Sequence, residues 1–312
     1  MDEALAVLER EFPGRTPTGV TPASRGHSKR TSFVSFATAE AVAVQCSQNP
    51  AALRIERELA RAVRARTSIP VPRVLAGDER DGTGYAVFER APGDDLHERF
   101  TTLDDATRRD VVRTFGRALG ELHAAFEFDA FGAVRVEPGS PAGFHAVESS
   151  HWPTWFRSYA REGVAALTDA FADLRAPIRE AFETASLPDR PPARLFPWDL
   201  RPGNALVDDG SVSAFVDWGD PLAAAPGLAV AKAEHLTADW YVDASDRRPL
   251  RAAFREGYES VRPCPAVPDV YRLAAVVDAA VDSRGVVTRP GYPERQGEAA
   301  VAFHRERLRA LL

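Results

Sequence analysis

The chain has 312 residues, a net charge of −6 and 45% hydrophobic residues, enough for one large or two modest domains of a globular protein. No run approaches the roughly 20 apolar residues of a membrane span, no dense basic patch invites nucleic acid, and Cys46 and Cys264 are too few for a disulfide framework or a structural zinc site. The start, Met1-Asp-Glu-Ala-Leu5, lacks the basic flank and apolar core of a signal peptide, so the expectation is a reducing cytoplasm with neither a membrane nor a nucleic-acid partner.

Residues 3–12 read as a short amphipathic helix ended by Pro13-Gly14. Val20 falls in a first strand, Thr31 to Phe36 in a second and Ala41 to Val44 in a third, with Ser24-Arg-Gly-His-Ser-Lys29 between the first two. Ala51 to Arg64 is helical, and Ile55, Leu59, Ala62 and Val63 recur at the spacing of one inward face. Ile69 to Leu75 is extended, as its prolines require, and Tyr85 to Phe88 is another strand. Pro92-Gly93 marks a hinge, dividing the chain into residues 1–92 and 93–312. Beyond it the pattern is mostly helical. Asp104 or Asp105 caps a helix through Phe126, Trp152 to Leu167 and Leu174 to Ala185 form two more, and the tail from Leu228 is helical with breaks at Pro263 to Pro268 and Pro290 to Pro293.

The densest chemistry lies in Phe196-Pro-Trp-Asp-Leu-Arg-Pro-Gly-Asn204 and in Asp217-Trp-Gly219. A carboxylate, a cation and an amide stand within six residues, and a second carboxylate follows a short hairpin. Ala205 to Val207 and Ser211 to Val216 read as its strands, and Asp208-Asp-Gly210 as its turn. With Asp209-Gly210 as a two-residue turn, Asp208 faces Ser211 and Asn204 faces Phe215. Asn204, Phe215 and Asp217 then share one face, and Asn204 and Asp217 are diagonal neighbours able to share an ion. A longer turn would shift that register. Phosphoryl transfer needs this set: one Asp for a hydroxyl, and an Asn and an Asp for Mg2+ on nucleotide phosphates.

Asp199-Leu-Arg-Pro-Gly-Asn204 resembles the catalytic loop of protein-kinase-like phosphotransferases, and Asp217-Trp-Gly219 resembles their metal-binding Asp-Phe-Gly. The Trp, the Pro-Gly before the Asn and the short hairpin are closer to the aminoglycoside phosphotransferase and choline kinase-like family. The resemblance implies an α+β, bilobal protein-kinase-like fold. Its small N-lobe, residues 1–92, is an antiparallel sheet with one helix that binds the nucleotide. Its larger, mostly helical C-lobe, residues 93–312, holds the catalytic loop and the acceptor. It also implies ATP and Mg2+, with Asp199 as the base or hydroxyl-orienting residue, Arg201 on the γ-phosphate, and Asn204 and Asp217 as metal ligands. Gly26, His27 and Ser28 would close over the phosphates, and the backbone around Glu89 and Ala91 would read the adenine edge.

Several positions depart from the family pattern. The third strand reads Val42-Ala-Val-Gln45, so an amide stands where the family places a lysine bridging the phosphates and a helix glutamate. That glutamate would be Glu58, or Glu56 with a shift of two residues. Lys29 and Lys232 are the only lysines, and Lys29, beside the proposed phosphate loop, is placed to supply the missing charge, with Arg25 and Arg30 as competitors. Pro197-Trp198 stands where relatives have His-Gly or His-Arg. Ala223 to Ala229 lacks the Asp that relatives often carry past the metal-binding one.

The leading reading is an ATP-dependent kinase acting on a hydroxyl of a small metabolite or an aminoglycoside-like acceptor. The alternative is a nucleotide-binding pseudokinase with a regulatory or scaffolding role, for which Gln45 is the chief sign. A metal-dependent hydrolase would want closely spaced His ligands, which the seven His do not provide. His145, His151, Trp152, Trp155, Trp240 and Tyr241 are candidates for the acceptor side, and Asp94, Asp95 and Asp220 for a cationic acceptor. Acceptor identity and oligomeric state are not legible in the sequence.

Overall fold

The computed structural model describes residues 2–23, 29–136, 143–289 and 295–312. Gly26, His27 and Ser28, and the break at Pro290 to Pro293, lie outside the described residues.

Among the described residues the first lobe is a five-stranded antiparallel sheet flanked by two helices. Helix α1 (Asp2–Glu11) precedes β1 (Pro17–Pro22), β2 (Arg30–Phe36) and β3 (Val42–Ser47); α2 (Pro50–Arg66) follows, then β4 (Val74–Arg80) and β5 (Thr83–Glu89). The strands lie in the order β1-β2-β3-β5-β4. Strand alternation sends Val42, Val44 and Cys46 to a cluster with Ala4, Val7 and Leu8 of α1. Ala43, Ala86 and Phe88 face the other way, into a core continuous with the second lobe. Gln45, opposite Thr31 and Ala86, belongs to that inner face. Helix α2 begins where Asn49 accepts a hydrogen bond from the Ala52 N–H at 3.1 Å, with Pro50 in the first turn, where its missing N–H costs nothing.

The second lobe begins with β6 (Asp94–Asp95), α3 (Leu96–Arg99) and α4 (Asp105–Ala125), the last capped by Asp104 as the sequence implies. Strands β7 (Glu127–Phe128), β8 (Phe131–Val136) and β9 (Phe144–Ser149) come next, between the helices that the sequence pattern places through Phe126 and from Trp152. Helices α5 (Trp152–Ala166) and α6 (Arg175–Thr184) lead to β10 (Ala193–Phe196), then to the hairpin β11 (Ala205–Asp208) and β12 (Ser211–Phe215), and to β13 (Leu222–Ala224). The chain ends with α7 (Pro226–Glu234), a π-helical turn at His235–Asp239, α8 (Ala244–Glu259), α9 (Asp269–Ala279), the short pair β14 (Thr288–Arg289) and β15 (Arg295–Gln296), and α10 (Glu298–Arg309). A second antiparallel sheet, β7-β10-β13-β8-β9, therefore runs through this largely helical lobe and carries β10, which leads into the catalytic loop. Helices α4 and α8 pack at very close range. A Cβ at Gly116 would overlap the Phe254 carbonyl, and one at Gly257 the Arg113 carbonyl, so each helix needs a glycine where the other's backbone crosses it. No helix among the described residues is long and apolar enough to cross a membrane.

Candidate active site

The candidate catalytic loop, residues 197–204, follows from its sequence. Pro197 has no N–H to extend β10, so the strand stops at Phe196. Leu200 is buried and anchors the middle of the loop. Pro202 opens a single 3₁₀ turn, Pro202–Asn204, closed by the Asn204 N–H on the Arg201 carbonyl at 3.0 Å. Gly203 leaves room for the Arg201 guanidinium, which would lie 3.0 Å from a Cβ there. Arg201 Nε donates to Asp199 Oδ2 at 2.7 Å, and Asn204 Nδ2 donates to the Asp199 carbonyl at 2.9 Å and to Oδ2 at 3.2 Å. Two donors thus hold one carboxylate oxygen and leave Oδ1 open. With its amide nitrogen engaged, Asn204 keeps its own Oδ1 available as a ligand. Burial works against the charge on Arg201, but Asp199, Tyr241 and Asp217 outweigh it and raise its pKa.

The hairpin departs from the expected register. Asp208 pairs with Ser211 through a turn with positive φ at Asp209 (46°) and Gly210 (73°), as foreseen. Between Leu206↔Ala214 and Val207↔Val212, however, Ser213 is an extra residue. This one-residue bulge puts Ala205, not Asn204, opposite Phe215. The Val216 N–H then bonds the Asn204 carbonyl at 2.9 Å. Ser213 Oγ donates to the Pro92 carbonyl at 2.7 Å and ties the hairpin to the hinge. Asp217 leaves the strand at φ 62°, a left-handed conformation that Asp tolerates better than most residues. Asp199, Asn204 and Asp217 all line one cleft with Leu59 of α2 and Gly219.

Across the cleft, Lys29 forms an ion pair with Glu56 and lies 3.0 Å from Asp217 Oδ1. Lys29 is placed by strand alternation. It is two residues before Thr31, which lies opposite Gln45, so its side chain leaves β2 on the face that carries Gln45. Burial opposes its charge, but Glu56 and Asp217 outweigh that and raise its pKa, so it remains an ammonium. A Cβ at Gly219 would sit 3.5 Å from Asp217 Oδ1 and 3.8 Å from Glu56 Oε2, which shows how closely the two lobes' carboxylates approach.

Glu58 is not the helix carboxylate of this cleft. It pairs with Arg57 at 3.1 Å and Arg61 at 2.8 Å and lines a groove on the outer side of α2. The buried residues of α2 are Leu53, Glu56, Leu59, Ala60, Ala62 and Val63, and Glu58 lies two residues, about 200°, round the helix from Glu56. An acidic residue at the i+3 position between Leu53 and Leu59 was the signal for it. Gln45 reaches the inner face, but its buried Oε1 has no hydrogen-bond partner among the described residues. At the hinge, the Glu89 carboxylate turns away to Arg73 Nε at 2.6 Å. The Glu89 N–H bonds the Arg73 carbonyl at 2.9 Å and the Arg90 N–H the Ala41 carbonyl at 3.1 Å. Among the described residues the Ala91 N–H has no partner.

Of the aromatic candidates, Trp152 and Trp155 stack on each other in the core with ring centroids 5.4 Å apart, and His151 caps α5. His145 is exposed on β9. Only Trp240 and Tyr241 reach the catalytic loop. The Arg201 guanidinium lies 5.7 Å from the centre of the Trp240 ring, and Tyr241 Oη is 2.8 Å from His97 Nδ1. His123 is buried against Tyr258 Oη at 2.7 Å, and burial pushes its pKa down to about 3, a packing residue and not a proton carrier.

The fold and site define a bilobal, kinase-like phosphotransferase. A family model described as "Phosphotransferase enzyme family" (APH) matches residues 19–273, and the chain belongs to that family. It is accordingly a phosphotransferase of the kinase type. No curated protein sequence matches it. Among solved structures, aminoglycoside phosphotransferase APH(4)-Ia superposes with a TM-score of 0.68 at 17% identity, covering 100% of this chain and 98% of that one. A putative fructosamine-3-kinase from Haemophilus somnus gives 0.64 at 13% identity, covering 100% and 98%. A putative aminoglycoside phosphotransferase from Ralstonia eutropha gives 0.64 at 15%, covering 100% and 95%. APH(4)-Ia has also been solved in ternary complexes with hygromycin B and either ADP or AMP-PNP.

Proposed function

We propose that this protein transfers the γ-phosphate of ATP, with Mg2+, to a hydroxyl of a small metabolite or an aminoglycoside-like acceptor. The observation that carries this reading is the convergence of Asp199, Asn204 and Asp217 on one cleft, with Lys29 and Glu56 facing them from the other lobe. Asp199 Oδ1 is the open oxygen, and it accepts the hydroxyl proton as the oxygen–phosphorus bond forms and the bond to the β–γ bridging oxygen breaks. Arg201, fixed on the other carboxylate oxygen, offsets charge on the transferring group. Asn204 Oδ1 and the Asp217 carboxylate are oxygen donors suited to Mg2+. When bound, the ion supplies charge neutralisation of the phosphate oxygens.

Lys29 takes the phosphate-anchoring place that Gln45 cannot fill. Glu56 aims its ammonium, as a helix glutamate does in the family pattern. Gln45 is the chief sign of a silent pseudokinase, and a cation supplied by Lys29, just before β2, favours the kinase over that alternative. The Ala91 N–H is the hinge donor open to an adenine edge, and the lobes divide at 92/93, where Ser213 grips the hinge. The phosphate-covering role of Gly26, His27 and Ser28 belongs to the same reading.

The test is ATP consumption across a panel of hydroxyl-bearing metabolites and aminoglycosides, with Asp199→Asn as control. Acceptor-dependent ADP release that Asp199→Asn abolishes supports the reading. ADP release that persists in Asp199→Asn contradicts it.

A further inference from the structure

Lys232, the second of the two lysines, has no part in the reaction as proposed, yet it lies directly beneath the catalytic loop. It is 3% exposed, on α7, and pairs with Asp278 of α9. Its Nζ lies 3.3 Å from the centre of the Trp198 ring and 5.6 Å from that of Phe196. Tyr159 meets Trp198 edge-on, with centroids 6.0 Å apart and planes at 88°. Trp198 precedes Asp199 and lines the same cleft.

The geometry points to Lys232 as a positioning residue for the catalytic loop, acting through Trp198. Indole presents the strongest π-face of any side chain, and an ammonium out of water is held by it more firmly than a hydrated one. Asp278 makes burial of that ammonium tolerable and fixes where it sits. Pro197 already restricts the backbone on one side of Trp198. With the indole clamped between Lys232 and Tyr159, little freedom is left at Asp199. The histidine that relatives carry at 197 and the Asp that they often carry past the metal-binding one are both missing here. The inference rests on the reading of Asp199 as the hydroxyl-orienting residue, but its first test does not depend on activity.

That test is hydrogen–deuterium exchange of the full-length protein, read on the segment 196–204. Lys232→Met combined with Asp278→Asn removes both charges and leaves no unpaired buried ion. Exchange in 196–204 is expected to rise about tenfold while the sheet segment 42–47 stays unchanged. Trp198→Leu, which leaves the ion pair in place, is expected to reproduce this pattern, and all three substitutions together to add nothing further. Unchanged exchange in either variant, additive effects, or acceleration spread evenly over α7 and α9 would overturn the assignment. With Mg·ATP and water as acceptor, the double variant is expected to lose about tenfold in kcat with KM for ATP within twofold. A loss confined to KM also overturns it. Absence of ATP turnover in the parent protein would instead count against the reading of Asp199, with the exchange result standing on its own.

Discussion

Asp199, Arg201 and Asn204 lie within six residues of one another, whereas Lys29 stands just before a strand, Glu56 on a helix and Asp217 just after a hairpin, far apart in the chain. In the loop, local hydrogen bonds set the geometry, because Arg201 and Asn204 both bond to the carboxylate they serve. On the phosphate side nothing local does so. The cation arrives because β2 lies beside β3 with its inner-facing residues in line, and because α2 is rotated so that Glu56 meets it. A contiguous site is tied to its residues, whereas a site assembled from distant segments is tied to a point in space. Any strand that delivers an ammonium to that point can serve, so Gln45 need not mark a lost activity.

Substitutions on the two sides sharpen this contrast. The largest effect is expected in the loop. Asp199→Asn removes the proton acceptor while leaving the hydrogen bonds to Oδ2 nearly intact, and should lower kcat about 10³-fold, some 4 kcal/mol, with ATP affinity held within about threefold. Steady-state kinetics beside calorimetric ATP titration measures both, and a parallel fall in affinity would contradict the division of roles. On the phosphate side, Glu56→Gln should lower ATP turnover about 30-fold because it leaves Lys29 without its buried partner. Glu58→Gln, which touches only partly exposed pairs, should stay within twofold. Equal effects of the two would restore Glu58 as a candidate.

A further expected effect, on stability and not on turnover, concerns the ground on which the loop stands. Burial pushes the pKa of His123 down to about 3 and that of His304 down to about 4. Both lie in the helical lobe, and both folded values are below the unfolded value of about 6.5. As pH falls below 6.5 the unfolded chain takes up protons that the folded chain refuses, so stability is lost with acid, by about 2 kcal/mol for each imidazole at pH 5. Urea unfolding at pH 7 and pH 5 tests this, with His304→Asn expected to remove one share. A variant as acid-sensitive as the parent would show that His304 is not responsible.

The same contrast explains what the sequence disclosed. The loop was legible because its chemistry is contiguous, and strands β2, β3 and β5 because period-two alternation is a local signal. The face of α2 differs from the expected one because Ile55, only half-buried, draws the apolar stripe toward Glu58, while the buried line runs through a charged residue, Glu56, that a hydrophobic count discounts. The hairpin register slipped by one at Ser213, whose bulge is stabilised by a hydrogen bond to Pro92 far away in sequence. Strands β7 to β9 are too short, at two to six residues, to stand out by alternation, although Pro138-Gly-Ser-Pro-Ala-Gly143 marks the break between β8 and β9. The contact of Lys232 with Trp198 has no sequence signature, since it depends on how α7 and α9 pack beneath β10. Lys29 was legible only as an oddity of composition, and its partners came from the fold.

In the proposed site the phosphate-anchoring charge comes from Lys29, just before β2, in place of Gln45 on β3. ATP affinity and turnover of Lys29→Ala beside Gln45→Ala decide this. Two charge-assisted contacts at Lys29 correspond to roughly 3 kcal/mol, so Lys29→Ala should lose about 100-fold while Gln45→Ala stays within twofold. A Lys29→Ala protein that binds and turns over ATP like its parent would contradict the account.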